Sequence, residues 1–488
     1  MSLLCVTVTG KTMDELRRAR DAVSGADLVE VRLDGVDRPD AAGALEGRLR
    51  PVIVTCRPHM EGGTFDGCEE DRRRILLEAV AAGAEFVDVE LRATFAAELV
   101  RLRRGHGVIT SMHVFGTDPV DVPELIRSLR STGAEVVKLA MEVDSLAATL
   151  PLFELAARTD PAADGQDHVL IAMGPRGAHT RVLAPRLKNR WTYAGDGLAP
   201  GQIPPARMLH EFRFRRIRPD ADLYGVTGSP VAHSLSPAMH NSGFAHSGMN
   251  AAYLALDARD AGDFVTFARA LNLRGASITA PLKVTMMEHV DEYDALAGEV
   301  GAINTLIVRD GRWIGANTDV AGFLAPLKGR MALRGTRAAV LGAGGAARAV
   351  AVALRREGAH VQIAARREDQ ARAVAGLVGA EPGPFPPPAG SWDVLVNATA
   401  SGGRPGDESP MAGMRLDGEI VFDLVYSPAE TPLIAQARAA GCWTIGGIEM
   451  LIAQAERQFE LWTGAAPPAG LFRQAVDAAS SWKRGAGS

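Results

Sequence analysis

Residues 337–354 read RAAVLGAGGAARAVAVAL. A short apolar run turns at Gly342-Ala343-Gly344-Gly345-Ala346-Ala347 into an alanine-rich stretch that suits a helix, so a GxGxxA pattern falls at a strand-to-helix turn. Glycine there lets the backbone approach a pyrophosphate closely, and the helix N-terminus favours its charge. It is this placement, more than the glycines themselves, that marks a dinucleotide site. About 20 residues on, NAD binders tend to carry an acid for the ribose hydroxyls. Here the next strand-like run ends in Ala364-Ala365-Arg366-Arg367. Guanidinium forks suit a 2′-phosphate, so NADP(H) is the expected cofactor; the plain alternative is two solvated arginines opening a helix.

The same alternation continues through WDVLVNAT, EIVFDLVY and CWTIGG, with Pro-rich EPGPFPPPAG (381–390) read as a surface loop. Upstream lie DLYGVTGS, AAYLAL and GASIT, then a hairpin, INTLIVRDGRWIGANT, whose Asp310-Gly311 pair favours a tight turn. Residues 1–200 hold eight short apolar runs: LLCVTV, LVEVRLD, VIVTCR, FVDVEL, VITSMH, VVKLAM, HVLIAMG and WTYAGD. Each is followed by a segment able to form a helix, which suggests a compact (β/α)8 TIM barrel; an open doubly wound sheet would allow the same alternation. RFRRIRPDAD (213–222) suits an interdomain linker, its four arginines a solvated helix end. IEMLIAQAERQFELWTG is an amphipathic helix, and the tail KRGAGS is expected to be disordered.

At 488 residues the chain is too long for one small binding module. Lys+Arg minus Asp+Glu is 53 − 58 = −5, which argues against a nucleic-acid binder relying on bulk positive charge. Mean hydropathy of +0.02 is that of an ordinary globular protein. Cys5, Cys56, Cys68 and Cys442 lack CxxC spacing, giving neither a disulfide framework nor a zinc knuckle, and no metal site is expected. A reducing cytoplasm is the natural setting. MSLLCVTVTG carries no signal or transit pattern, and the longest uncharged run, Leu223 to Leu256, is too rich in Ser, Gly, His and Pro to span a membrane.

Several side chains stand out on chemistry. In LVEVRLD, Glu30 and Arg32 share one strand face while Val29, Val31 and Leu33 share the other, which places the charges in a barrel lumen near its mouth. Lys138 sits inside VVKLAM, where an unpaired ammonium would be costly. Desolvation frees a lysine amine to attack a ketone; the bland reading is a lysine snorkelling to the rim. His113 ends the fifth strand, where an imidazole can exchange a proton, although a lone histidine at a strand end is more often structural. Lys283, after Pro281, and Asp319, after Asn317-Thr318, are acid/base candidates, with an exposed lysine and a helix cap as alternatives.

Residues 222–488 resemble shikimate dehydrogenase through YGVTGSPVAHSLSPAMHN, SITAPLK, GAINTL, GANTDVAGF, LGAGGAARA, VNAT, DLVYSPAETPL and GGIEMLIAQAERQFELWTG. The resemblance implies a two-lobed α/β enzyme with a Rossmann NADP domain. In it Lys283 is the acid/base residue and Asp319 its partner. Ser234, Ser236, Thr279, Asn304, Tyr426 and Gln454 would bind substrate; Gly342, Ala343, Gly344, Gly345, Ala346, Arg366, Arg367, Asn397, Thr399 and Gly447 would bind cofactor. Departures are Ala365 for a usual Asn, Arg367 for Thr, Ser277 for Asn and Gly403 for Met, which bear on cofactor strictness and nicotinamide packing.

Residues 1–205 resemble a type I 3-dehydroquinate dehydratase through EVRLD, TCRPHMEGG, DVEL, SMH, VVKLA, MGPRGAHTR and APGQ. By resemblance Lys138 forms a Schiff base, His113 moves the protons and Glu61 orients it. Glu30, Arg32, Arg57, Arg181 and Gln202 would grip the substrate, Arg181 its carboxylate. Leu198 stands where the family often has Ser. The dehydratase product is the dehydrogenase substrate, so a bifunctional shikimate-pathway enzyme is expected, acting on small molecules with no nucleic-acid or membrane partner. The expected division is a barrel over 1–218, a substrate lobe over 219–322 to which 452–488 return, and a Rossmann lobe over 323–451. A quinate-preferring dehydrogenase and a non-catalytic regulator are the rival readings. A regulator should have lost Lys138, His113, Lys283 or Asp319, and all four are present.

Overall fold

The computed structural model describes residues 2–485. The eight apolar runs form β1 (Leu3–Val8), β2 (Leu28–Arg32), β3 (Val52–Thr55), β4 (Phe86–Glu90), β5 (Val108–Val114), β6 (Val136–Glu142), β7 (Asp167–Met173) and β8 (Trp191–Ala194). All pairs are parallel, in the order β7-β6-β5-β4-β3-β2-β1-β8. From β1 to β7 each strand neighbours its successor and β8 lies beside β1, which wraps the sheet into a nearly closed barrel with its seam between β7 and β8; a doubly wound sheet would reverse at a central strand. At the β7/β8 seam one backbone bond, Arg190 N–H to the His168 carbonyl at 3.0 Å, is supplemented by the buried Asn189 side chain. Its Oδ1 accepts the Leu170 N–H and its Nδ2 donates to the Leu170 carbonyl, both at 2.9 Å. Outward strand residues such as Val29 and Val31, with Leu33 just after them, join the surrounding helices in one apolar cluster. Inward ones, including Cys5, Ile53, Ile109, Trp191 and Tyr193, fill the lumen floor.

A mixed sheet follows, built from β9 (Asp222–Gly228), β10 (Ala251–Asp257), β11 (Gly275–Ile278), β12 (Glu292–Tyr293), β13 (Thr305–Arg309) and β14 (Arg312–Ala316). Its order is β10-β9-β11-β13-β14-β12. The β13–β14 hairpin turns at Asp310 (φ 52°) and Gly311 (φ 77°), the left-handed pair its sequence favours. The third sheet contains β15 (Arg337–Leu341), β16 (His360–Ala364), β17 (Glu381–Gly383), β18 (Val394–Asn397), β19 (Ile420–Asp423) and β20 (Trp443–Gly446). It is wholly parallel in the order β17-β16-β15-β18-β19-β20, the 3-2-1-4-5-6 arrangement of a dinucleotide fold.

Three expectations change. Glu381–Gly383, read as loop, is an edge strand: β17 pairs only with β16, and an edge tolerates Pro382 because one side of it needs no N–H. The 213–222 segment is not a free linker. Phe214 and Ile217 are buried, Arg215 pairs with Asp27 at 3.0 Å, and only Arg215, Arg216 and Arg218 of the four arginines are exposed. Of the KRGAGS tail, 483–485 continue the helix Leu471–Gly485, and 486–488 lie outside the described residues.

Barrel and substrate lobe share a core. One apolar cluster spans both, including Leu152 and Phe153 of the barrel and Phe264 and Phe267 of the lobe. His179 lies between Phe153 and Phe267, ring centroids at 6.2 and 4.8 Å. Burial pushes its imidazole down to about 3, so it sits there as a neutral ring. Asp263 of the lobe accepts the Leu146 and Ala147 N–H groups of the barrel at 3.0 and 2.9 Å.

Candidate active sites

The barrel strands, with Glu30, Arg32, His113 and Lys138, and the segments that follow them, with Arg57, Glu61, Arg181 and Gln202, surround one cavity of about 70 Å³. Lys138 projects from β6 and is 5% exposed, with Nζ 3.0 Å from Asp88 Oδ2 and 3.7 Å from Glu30 Oε1. Asp88 is held by Arg57 at 2.8 Å and by the Ser111 hydroxyl at 2.6 Å. Arg57 spends its other fork arm on Glu90 and Ser111, at 2.7 and 2.8 Å. Glu61 accepts the His113 backbone N–H at 2.7 Å and faces His113 Nδ1 at 3.1 Å. That tie leaves Nε2 as the ring nitrogen able to meet a ligand. Arg32 is forked onto Asp34 at 2.8 and 2.7 Å, and Glu30 accepts from Thr7 and Thr55, both at 2.9 Å. Arg181, 2% exposed, donates only to the Ala172 and Pro200 carbonyls among the described residues and has no acidic partner. Burial pushes its guanidinium down to about 10, so an incoming anion would complete it.

A second cavity, of about 320 Å³, lies between the mixed sheet and the third sheet. Ser234, Ser236, Thr279, Lys283, Asn304, Asp319, Tyr426, Gln454 and Gly447 all line it. The Lys283 ammonium is bonded directly to Asp319. Asn304 Nδ2 reaches the other Asp319 oxygen at 2.7 Å and Thr318 Oγ1 at 2.9 Å. Behind it runs a directed chain. The Tyr253 phenol lies 2.5 Å from Ser277 Oγ, Ser277 donates to Gln458 at 2.6 Å, and Gln458 donates to the Asn304 carbonyl at 3.0 Å. The glycine turn packs against this site: a Cβ on Gly345 would lie 3.1 Å from Lys283 Cβ. Helix Gly345–Arg356 has no side-chain cap, so its first N–H groups are open to a pyrophosphate. Arg366 and Arg367 follow β16 and are exposed, with no acid at the strand end. The residues present therefore fit NADP(H).

The family described as type I 3-dehydroquinase matches residues 4–219, the shikimate dehydrogenase substrate binding domain 226–306, and the shikimate 5'-dehydrogenase C-terminal domain 447–476. A chloroplastic bifunctional 3-dehydroquinate dehydratase/shikimate dehydrogenase of Arabidopsis thaliana is 32% identical over 514 residues, covering 97% of this chain and 84% of that one. The chain belongs to this bifunctional dehydratase/dehydrogenase family. Its dehydrogenase half is 42% identical over 263 residues to an NADP(+) shikimate dehydrogenase of Archaeoglobus fulgidus, covering 52% of this chain and 96% of that one. A crystal structure of shikimate dehydrogenase from Aquifex aeolicus superposes with a TM-score of 0.50 at 33% identity, covering 53% of this chain and 99% of that one.

Charge in the dehydratase barrel follows from burial and neighbours. Burial would raise the Asp88 carboxyl, but Arg57 and Lys138 outweigh it and hold it far below the usual range. Glu61 is raised, burial outweighing the His113 N–H and Arg57. His113 is pushed well below 6.5, first by burial and then by Arg57 and Lys138. Asp88, Glu90, Ser111 and Tyr193 were not singled out from sequence. Asp88 and Glu90 were legible, since FVDVE alternates as LVEVR does. In the dehydrogenase half, Tyr253 and Gln458 carried no signal beyond amphipathic burial. Asn397 is fully buried and spends its amide on Asp423 and Ser401, so it shapes the loop that carries Thr399. Leu198 sits at the barrel rim, 40% exposed.

Proposed function

We propose that Lys138 is the nucleophile of the dehydratase half and that Lys283 with Asp319 exchanges the proton in the dehydrogenase half. The chain dehydrates 3-dehydroquinate to 3-dehydroshikimate and reduces that product to shikimate with NADPH. Lys138 Nζ adds to the ketone and water leaves, giving an iminium. His113 Nε2 removes the neighbouring proton, held in line by Glu61, and returns a proton to the departing hydroxyl; hydrolysis then frees the product. Arg181 takes the carboxylate. Glu30, Arg32 and Gln202 meet the hydroxyls, while Arg57, its fork filled, keeps Asp88 beside Lys138.

NADPH, when bound, supplies the hydride. Lys283 gives a proton to the carbonyl oxygen, Asp319 fixes its ammonium, and Ser234, Ser236, Thr279, Asn304, Tyr426 and Gln454 hold the substrate through groups that both donate and accept. The cofactor would rest on Gly342, Ala343, Gly344, Gly345 and Ala346, with Arg366 and Arg367 on its 2′-phosphate and Thr399 and Gly447 near its other end; Asn397 acts through its loop.

Lys138 carries this reading: a lysine sealed in a barrel lumen, beside a carboxylate and within the cavity that holds His113. Purified protein given 3-dehydroquinate and NADPH should form shikimate, and borohydride added with substrate should leave an adduct on Lys138. Lys138→Ala should abolish dehydration and keep dehydrogenase activity; dehydration at the parental rate would sink the mechanism.

The proposed division is 1–218, 219–322 with 452–488, and 323–451. It is supported by the three sheets and by the packing of helix Leu471–Gly485 on Ser236–His246. The return begins inside one unbroken helix, Gly447–Thr463, whose Met450 joins the Rossmann core while Ile452 and Phe459 join the substrate lobe. A reducing cytoplasm is supported by four free cysteines, Cys68 exposed among them. Among the described residues no helix is long and apolar enough to cross a membrane. The net charge of −5 likewise gives no support to a nucleic-acid partner.

A further inference from the structure

The dehydratase lumen contains a group that no step above uses. Tyr193 projects from β8 and is 3% exposed, and Lys138 Nζ lies 4.2 Å from the centroid of its ring. Its hydroxyl makes no well-formed hydrogen bond among the described residues. Trp191, two residues earlier on the same strand, belongs to the same apolar layer of the lumen. Nζ lies over the ring, so the face of the ring is what Tyr193 presents to it. An aromatic face is the negative part of the ring quadrupole and attracts a cation, more strongly when water is excluded.

Taking Lys138 as the Schiff-base lysine, we propose that the Tyr193 ring is a further catalytic group of the dehydratase: its face stabilises the positive charge on Nζ in the iminium. The electron count supports this. Neutral amine plus ketone plus one proton gives iminium plus water, so a full positive charge appears on the C=N group at the atom that already lies over the ring. Removal of the α-proton by His113 turns the C–H pair into a C=C bond and moves the C=N π pair onto nitrogen, giving a neutral enamine, and departure of the hydroxyl as water, with the proton His113 returns, restores the C=N bond and its charge. Asp88 at 3.0 Å and Glu30 at 3.7 Å also face Nζ, but both are already engaged, with Arg57 and with Thr7 and Thr55. The ring adds stabilisation for a cation without becoming a hydrogen-bond acceptor that would compete for its proton.

The test separates ring face, hydroxyl and lysine. Tyr193→Phe should keep kcat/KM for 3-dehydroquinate and the fraction of chain trapped by borohydride close to parental. Tyr193→Leu should lower both by roughly tenfold. Pentafluorophenylalanine at position 193, which keeps the ring's shape and reverses its quadrupole, should resemble Leu, covering the case in which Leu does not fold. Shikimate dehydrogenase activity of each variant reports that the chain is folded. Parental trapping and kcat/KM in the pentafluoro variant would overturn the proposal, and so would a Phe variant as impaired as Leu, which would assign the work to the hydroxyl. An active Lys138→Ala protein, by contrast, would overturn the Schiff-base reading itself, whatever Tyr193 does.

Discussion

At His113, burial and two cations act together. Burial disfavours the imidazolium, and Arg57 and Lys138 repel it further. A histidine with a depressed pKa stays neutral as pH falls through 6.5 and protonates only lower, so the base form needed for α-proton removal persists into mild acid. NMR of ring-labelled histidine should place the His113 midpoint below 6.5, the resonance being assigned among the 11 histidines by its loss in His113→Ala. A midpoint at or above 6.5 would refute the argument. Glu30, Arg32 and Lys138 were legible as chemistry because charge on a barrel strand is costly unless it faces a site. The Glu61–His113 tie was not legible from residue patterns, since it joins loop to strand across 52 residues. Nor was Tyr193, because an aromatic on a strand reads first as core.

Element identity was legible from period and punctuation: eight apolar runs became eight strands, and GxGxxA fell between β15 and its helix. What composition hid was edge pairing. A proline-rich run looks like a loop until a neighbouring strand needs only one side of it, as β16 does of β17. The barrel seam was hidden for a related reason, because β8 ladders with β1 while its approach to β7 is held by one backbone bond, Arg190 N–H to the His168 carbonyl, and by the Asn189 side chain. Asn189→Ala would strand the Leu170 N–H and carbonyl in a dry interior. Each buried unsatisfied group costs ~1–3 kcal/mol, so the barrel should lose about 3 kcal/mol of stability. Urea denaturation followed by loss of dehydratase activity checks this, and an unchanged midpoint would show that water or a register shift closes the seam.

The two enzymes meet through one continuous apolar cluster, whereas the Rossmann lobe packs around two other clusters, of which one reaches into the substrate lobe only through Val300, Ala302 and Val320 and the partly buried Leu296. A shared core couples unfolding, so calorimetry should show barrel and substrate lobe melting as one transition and the Rossmann lobe as another. Asp263 is the polar pin in this joint. It is buried, and its two oxygens accept the N–H groups of Leu146 and Ala147 from the barrel and of Arg259 from its own lobe. The barrel segment it holds follows β6, the strand that carries Lys138. Asp263→Ala strips three donors of a charged acceptor, and bonds to charged groups contribute ~1.5–3 kcal/mol each. With water recovering part of that, the joint should weaken by about 3 kcal/mol. The coupled transition should then split in two, the dehydratase should lose activity at a lower temperature than wild type, and Asp263→Asn, which keeps one acceptor oxygen, should fall between. A trace for Asp263→Ala that overlays wild type would mean that Phe153, His179 and Phe267 carry the joint by packing alone.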